Sequence, residues 1–257
     1  MRQKKREVAM PEYFIAGSAI FCISALLQGL TGFGFSILAV PLITLFISPQ
    51  TTVPIMLLYS IVINIVVLTS AHRALNLRAI GLLLVFGVIG MPIGTRLLIV
   101  LPDVWIRLGI GVLIIGFAAL QLAGFRARFK HEKLITAPVG LVSGILSGSV
   151  SMSGPPIILF LTNQEVDRQS FRGNLAGYFF LLNLFTLPVY WASGLFTRQV
   201  ITYTAWYAPA LIVGVISGNL LSHRIKDHHF RRIILVILIA MGILALASAA
   251  RSLGAST

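Results

Sequence analysis

The sequence predicts an all-α polytopic membrane protein, with about 8–10 transmembrane or re-entrant segments in two homologous repeats with broken helices. Three observations carry this prediction. Of the 257 residues, 57% are hydrophobic and 11% are charged, and the mean hydropathy is +0.95. The apolar residues fall in blocks close to the roughly 20 residues that about 30 Å of hydrocarbon demands of a helix. The blocks lack the alternating polarity of a β-barrel strand. Finally, the chain repeats itself. GLTGFGFSILAVP, from Gly29, and GSVSMSGPPIILF, from Gly148, lie 119 positions apart, and the apolar stretches that follow carry Asn64 and Asn183, also 119 apart.

In chain order the first block covers about 13–30 and follows the basic start Arg2–Arg6. It is too long for a signal peptide and lacks a small-x-small cleavage site, so it reads as a mature helix. A second block, about 35–48, follows the glycine-rich run at Gly32–Gly34, and the two blocks form either a re-entrant pair or two crossings. Blocks at about 53–71, 79–101 and 104–124 complete the first half. A basic linker leads into 134–162, which contains the second small-residue run, and then into 173–193, 199–222 and 232–250. The resulting division is a basic tail at 1–11, a first repeat at 12–124, a linker at 125–133, a second repeat at 134–250 and a tail at 251–257. The 119-residue offset pairs Gly32 with Ser151 and Gly34 with Ser153; further on it becomes 124, pairing Gly90 with Gly214, Gly94 with Gly218, Asp103 with Asp227 and Arg107 with Arg231. A five-residue insertion in the second half accounts for the change.

The formal net charge of +13 does not mean nucleic acid. The cations cluster between apolar blocks, at Arg2–Arg6, His72–Arg78, Arg126–Lys133 and Arg224–Arg232, and form no stripe with base-stacking aromatics. The partners are therefore a lipid bilayer and a small solute. Placing all four clusters inside satisfies the positive-inside rule but makes the two broken regions cross differently; a strictly symmetric scheme puts at least one cluster outside. The sequence leaves both schemes open, as it does the oligomeric state, with a homodimer one option. Cys22 is the single cysteine, and His228-His229 has no further ligands nearby, so neither a metal site nor a cofactor is expected. No Ser-His-Asp set or carboxylate pair can be assembled within the membrane, and the chain does not read as an enzyme.

The chemistry resides at the two breaks. A break in hydrocarbon survives only when it is buried in protein or lines a wet cavity. It also creates helix N-termini, whose free N–H groups attract anions. Thr31, Gly32, Gly34 and Ser36 offer amides and two hydroxyls; Ser149, Ser151, Ser153 and Gly154 offer amides and three hydroxyls, followed by Pro155-Pro156, which can start a helix. Together they form two half-sites for one small polar anion. Close helix packing alone would explain the glycines, but not the clustered hydroxyls and the double proline. Asn64 and Asn183, each among apolar neighbours, either complete the polar lining or pin helices together; Gln28 and Thr31 are weaker candidates of the same kind. Arg96 and Arg172 are the cations nearest apolar interiors, and either pair with the anion or snorkel to a membrane surface. Every Asp, Glu and His lies at a terminus or near a segment end, so no intramembrane proton relay is visible and no carboxylate is placed to bind a cation.

The run G-x-x-G-x-G with Val40-Pro41 after it, and the run S-G-x-x-S-x-S-G-P-P ending at Pro156, resemble the two signature blocks of the sulfite exporter TauE/SafE family. The duplication, the chain length and the basic central linker match as well. Phe35, Ser151 and Ser153 depart from the family pattern. The resemblance implies a multi-pass inner-membrane permease for sulfite, sulfonates or other small organic anions, usually of eight or so helices. The expected activity is transport of a small anion, sulfite or an organosulfonate being the expected substrate, by alternating access at the two broken motifs. An anion channel with the same lining, or a non-transporting scaffold, are the other readings.

Overall fold

A computed structural model describes residues 13–123, 132–163 and 167–222. The expected segment at 232–250, both tails and most of the linker lie outside the described residues. Within them there are nine α-helices and no strand. These are α1 (Phe14–Thr31), α2 (Phe35–Ile43), α3 (Pro49–Ala71), α4 (Leu77–Val100), α5 (Asp103–Leu122), α6 (Glu132–Val150), α7 (Gly154–Asn163), α8 (Arg168–Ala192) and α9 (Arg198–Leu221). Six of the described helices, α1, α3, α4, α5, α8 and α9, are long and apolar enough to cross a membrane.

Local chemistry sets many of the helix boundaries. Pro49 opens α3 directly after Ser48, a position where its missing N–H costs nothing. The side chains of Asn76, Asp167 and Thr197 accept hydrogen bonds from the first turns of α4, α8 and α9. Within the apolar block at 134–162, α6 ends at Val150, and α7 begins at Gly154 with Pro155 and Pro156 in its first turn.

The chain turns back on itself after α1. The Phe35 amide donates to Gln28 Oε1 (3.1 Å), and Phe46, just beyond α2, stacks on Tyr13 at the start of α1 with centroids 4.6 Å apart. With nine residues, α2 rises only about 14 Å, too little for a full crossing by helix alone. The far end of the bundle gathers the end of α1, the turn after α3 and the start of α8. There Arg172 donates to the Gly29 carbonyl, and the Asn76 amide donates to Asn174 Oδ1 (2.7 Å). Tyr13 and His72 thus lie at opposite ends of the bundle, while three of the four basic clusters lie wholly or largely outside the described residues.

Two helix pairs pack closest, α4 with α6 and α1 with α9. Both run parallel and both depend on glycine. A Cβ on Gly94 would meet the Ile145 carbonyl, and one on Gly218 the Leu26 carbonyl, each 2.8 Å from the carbonyl carbon. Likewise Gly90 faces Leu141 and Gly214 faces Cys22. Gly148 faces Met91, Gly94 and Thr95, while Gly29 faces Val215, Gly218 and Asn219. These contacts map from one pair onto the other by adding 119 along α1 or 124 along α4. Hydrocarbon offers little drive for helices to meet, so close backbone approach supplies dispersion attraction instead.

Candidate functional site

The turn after α1 is made by its glycines. Gly32 and Gly34 take φ of 86° and 105°, values that residues bearing a Cβ avoid, and the Gly32 amide donates to the Gln28 carbonyl to end the helix. After α6 the same place is held by Ser151 at φ 54°, the one non-glycine residue with positive φ among those described. Its amide donates to the Ser147 carbonyl (3.0 Å), the equivalent bond under the 119-residue offset. A side chain in this conformation costs about 1–2 kcal/mol, so a hydroxyl is kept there at the expense of strain.

Both turns line one narrow pocket whose free volume of ≈ 20 Å³ holds about one water molecule. Gln28, Gly34 and Ser36 line it from the first half, and Ser151, Ser153 and Gly154 from the second. Ser60 and Asn183 close it from the interiors of α3 and α8, with Phe33, Ile37, Met152 and Phe179 as apolar wall. No ionisable side chain lines it. In the first turn of α2 the amides of Gly34, Ser36 and Ile37 precede the helical ladder, which starts with the Leu38 amide on the Gly34 carbonyl (3.1 Å). The second turn supplies fewer amides than expected, because Pro155 and Pro156 occupy the start of α7 and carry no N–H. The buried hydroxyls of Ser151 and Ser153 stand there instead. Neutral donors and a helix N-terminus, with no carboxylate, suit a small anion.

Of the residues expected at the site, the pocket brings together Gly34, Ser36, Ser151, Ser153, Gly154 and Asn183. Others are placed elsewhere. The Thr31 hydroxyl is engaged with the carbonyls of Leu27 (2.9 Å) and Phe33 (2.6 Å), and that of Ser149 with the Ile145 carbonyl (2.7 Å). Gly32 packs against the stem of Arg172. Asn64, fully buried, sits one layer behind the wall, accepting from Gln28 Nε2 (2.9 Å) and donating to Ser60 Oγ (3.0 Å). Arg96 is exposed on α4, away from the pocket.

Arg172 neither snorkels nor reaches the pocket. It is 1% exposed, and its guanidinium donates to the Gly29 carbonyl (2.9 Å), Asn219 Oδ1 (3.2 Å) and Ser222 Oγ (3.3 Å). It therefore ties the C-terminal ends of α1 and α9 to the start of α8, where the negative end of each helix dipole favours a cation. At the other end of α8, Tyr190 donates to the Gly148 carbonyl (2.8 Å) near the end of α6. The ends of α1 and α6 thus point to opposite ends of α8.

Ser60 is the lining residue that motif reading passes over, and Gln28 the one it undervalues. The available signal was spacing: Ser60 precedes Asn64 by four residues on α3 and so shares its face. Among the described residues no group of three His, Cys, Asp or Glu is placed to hold a metal ion.

No curated protein and no solved structure matched the chain. A family model described as sulfite exporter TauE/SafE matches residues 17–245, which spans both turns, the pocket and all nine described helices apart from the first residues of α1. A multi-pass helical membrane protein, this chain belongs to the sulfite exporter TauE/SafE family, whose membership implies a membrane transporter of sulfur-containing anions.

Proposed function

We propose that the protein carries sulfite or a small organosulfonate across the cell inner membrane, by alternating access around the pocket between the two turns. The observation that carries this reading is the convergence of two helix breaks, arriving from opposite ends of α8, on one pocket lined by hydroxyls, amides and no carboxylate. The matching contacts of α1 with α9 and α4 with α6 support reading the halves as inverted repeats, an architecture in which two arrangements are related by exchanging the conformations of the halves.

One equivalent pair already differs between the halves. Tyr178 donates to Ser143 Oγ (2.9 Å), which donates to the Ser153 carbonyl (2.8 Å) beside the pocket. The residues 119 positions earlier are Tyr59, Ser24 and Gly34. Tyr59 donates instead to the Thr204 carbonyl of α9 (2.6 Å), and the buried Ser24 Oγ has no hydrogen-bond partner. Swinging Tyr59 onto Ser24 while releasing Tyr178 from Ser143 would exchange the settings of the two turns. With no ionisable group in the pocket wall, any proton coupling would ride on the anion's own protonation.

Flux of sulfite, taurine and acetate into proteoliposomes, with and without a pH gradient, tests the proposal. Saturable uptake of a sulfur anion above protein-free vesicles is the expected result. Uptake that rises linearly with concentration and carries single-channel current would favour a channel. Folded protein that moves none of the three would leave the scaffold reading.

A further inference from the structure

The wall residue Ser60 lies in the interior of α3 and in neither signature block. Its Oγ accepts from Asn64 Nδ2 (3.0 Å) and from Asn183 Nδ2 (2.8 Å). The direction of the first bond is dictated by the backbone at the α1–α2 turn. An N–H can only donate, so the Phe35 amide requires the oxygen of the Gln28 carboxamide to face it (3.1 Å). That leaves the NH₂ of Gln28 facing Asn64, which must answer with Oδ1 (2.9 Å) and so presents Nδ2 to Ser60. Reversing any link would set donor against donor or acceptor against acceptor among buried groups, at about 1–3 kcal/mol for each.

At Ser60 the chain ends with a hydrogen left over. A hydroxyl accepts twice and donates once. With Asn64 and Asn183 both donating, the O–H of Ser60 has the pocket as its remaining direction. If the Asn183 amide turns over, Ser60 donates to Asn183 Oδ1, and the NH₂ of Asn183 becomes the group on the pocket wall. In both settings a donor faces the pocket.

We infer that Ser60 is a substrate-binding residue, the terminus of a polarised chain (Phe35 N–H, Gln28, Asn64, Ser60) that presents a donor to an oxyanion oxygen, with Gln28 and Asn64 as positioning residues. This rests on the anion-carrier reading above and adds α3 to the elements that recognise the substrate. It also explains why an amide as long as Gln28 is buried beside a glycine turn: it transmits the fixed polarity of the Phe35 N–H to the far wall.

The test is the half-saturation concentration for whichever anion the wild type carries, measured in Ser60→Ala, Ser60→Thr and Gln28→Met proteoliposomes. Ser60→Ala should raise it at least about ten-fold, which corresponds to about 1.4 kcal/mol of lost binding, while Ser60→Thr keeps the hydroxyl and restores most of it. Gln28→Met, which removes the link that sets the polarity, should raise it by a smaller factor. An unchanged half-saturation concentration in Ser60→Ala, with saturable wild-type flux, overturns the inference and leaves the carrier reading standing. Absence of saturable flux in the wild type overturns both. Should Ser60→Ala fail to fold, Ser60→Cys in a Cys22→Ala background serves: its thiol should react with a maleimide, and taurine, if the wild type carries it, should slow the reaction. A rate insensitive to saturating substrate refutes contact.

Discussion

Placing a methyl group on Gly94 or Gly218 should be among the most damaging small changes in this protein, and the structure indicates by how much. The β-carbon of an alanine at position 94 would lie 2.8 Å from the Ile145 carbonyl carbon and closer still to its oxygen; at position 218 it would lie 2.8 Å from the Leu26 carbonyl carbon. Ordinary carbon–carbon contact begins near 3.5 Å. The obstructing atoms are backbone, so no rotamer change relieves the overlap, and α4 must move from α6, or α1 from α9, by most of an ångström. Overpacking of this kind costs about 1–3 kcal/mol, against at most about 1 kcal/mol regained by replacing glycine with alanine in a helix. Each variant should therefore lose thermal stability in detergent. Because the two sites belong to separate helix pairs, the double variant should lose close to the sum. Gly109→Ala on α5 is the control, since nothing lies within 4 Å of its added carbon, and it should be neutral or mildly stabilising. Wild-type stability in both Gly94→Ala and Gly218→Ala would show that the helices are not in backbone contact and would remove the equivalence on which the inverted-repeat reading rests.

Further consequences concern single side chains. Ser151→Gly should relieve a left-handed residue and raise thermal stability by up to about 1 kcal/mol while weakening anion binding; a variant that neither gains stability nor loses affinity would deny Ser151 both roles. Arg172→Gln should be strongly destabilising, by about 2–4 kcal/mol, because carbonyl and amide acceptors at the ends of α1 and α9 lose a charged donor in a buried site; unfolding in detergent measures it. Tyr59→Phe and Tyr178→Phe should shift the protein toward opposite access states, read as opposite changes in labelling of a pocket cysteine from the two faces of a vesicle. Identical changes would count against the exchange of settings. At Asp167, the Ser170 hydroxyl (2.6 Å) and then the Ser170 and Gln169 amides hold the carboxyl below its usual range. Its capping of α8 is therefore present above the ordinary carboxylate pKa and lost as pH falls through the lowered one, and Asp167→Asn should flatten that acid limb of a stability–pH profile.

Much of this architecture is legible in the chain because hydrocarbon permits so few solutions. Blocks of apolar residues had to be helices, and the small-residue runs had to be where backbone leaves the helix, which is where α1 and α6 end. The offsets of 119 and 124 were visible as matching residues, and the same numbers relate the glycine contacts of the two parallel helix pairs. The break within 134–162 was legible from its serines and double proline, but not that Ser151 would itself take the left-handed conformation, because serine does not announce one as glycine does. Spacing within a motif also says nothing of which neighbour a hydroxyl chooses. Thr31 and Ser149 bond carbonyls of their own helices, and Asn64 supports the wall without joining it. Arg172 could not be placed from sequence, because its acceptors, Gly29 and Asn219, lie 143 and 47 positions away. Ser60 belongs to a hydrogen-bond chain across three helices, α1, α3 and α8, a relation that no local pattern encodes.

The most direct test of the central claim, that a sulfur-containing anion passes through the pocket between the two turns, is saturable uptake by proteoliposomes of wild type beside Ser153→Ala, Asn183→Ala and Arg96→Gln. The account predicts saturable sulfite or taurine uptake in the wild type and in Arg96→Gln, whose side chain is exposed and remote from the pocket, with at least about a ten-fold loss of kcat/KM in the two pocket variants. Full uptake in both pocket variants, from protein that is folded and inserted, would place the permeation path elsewhere.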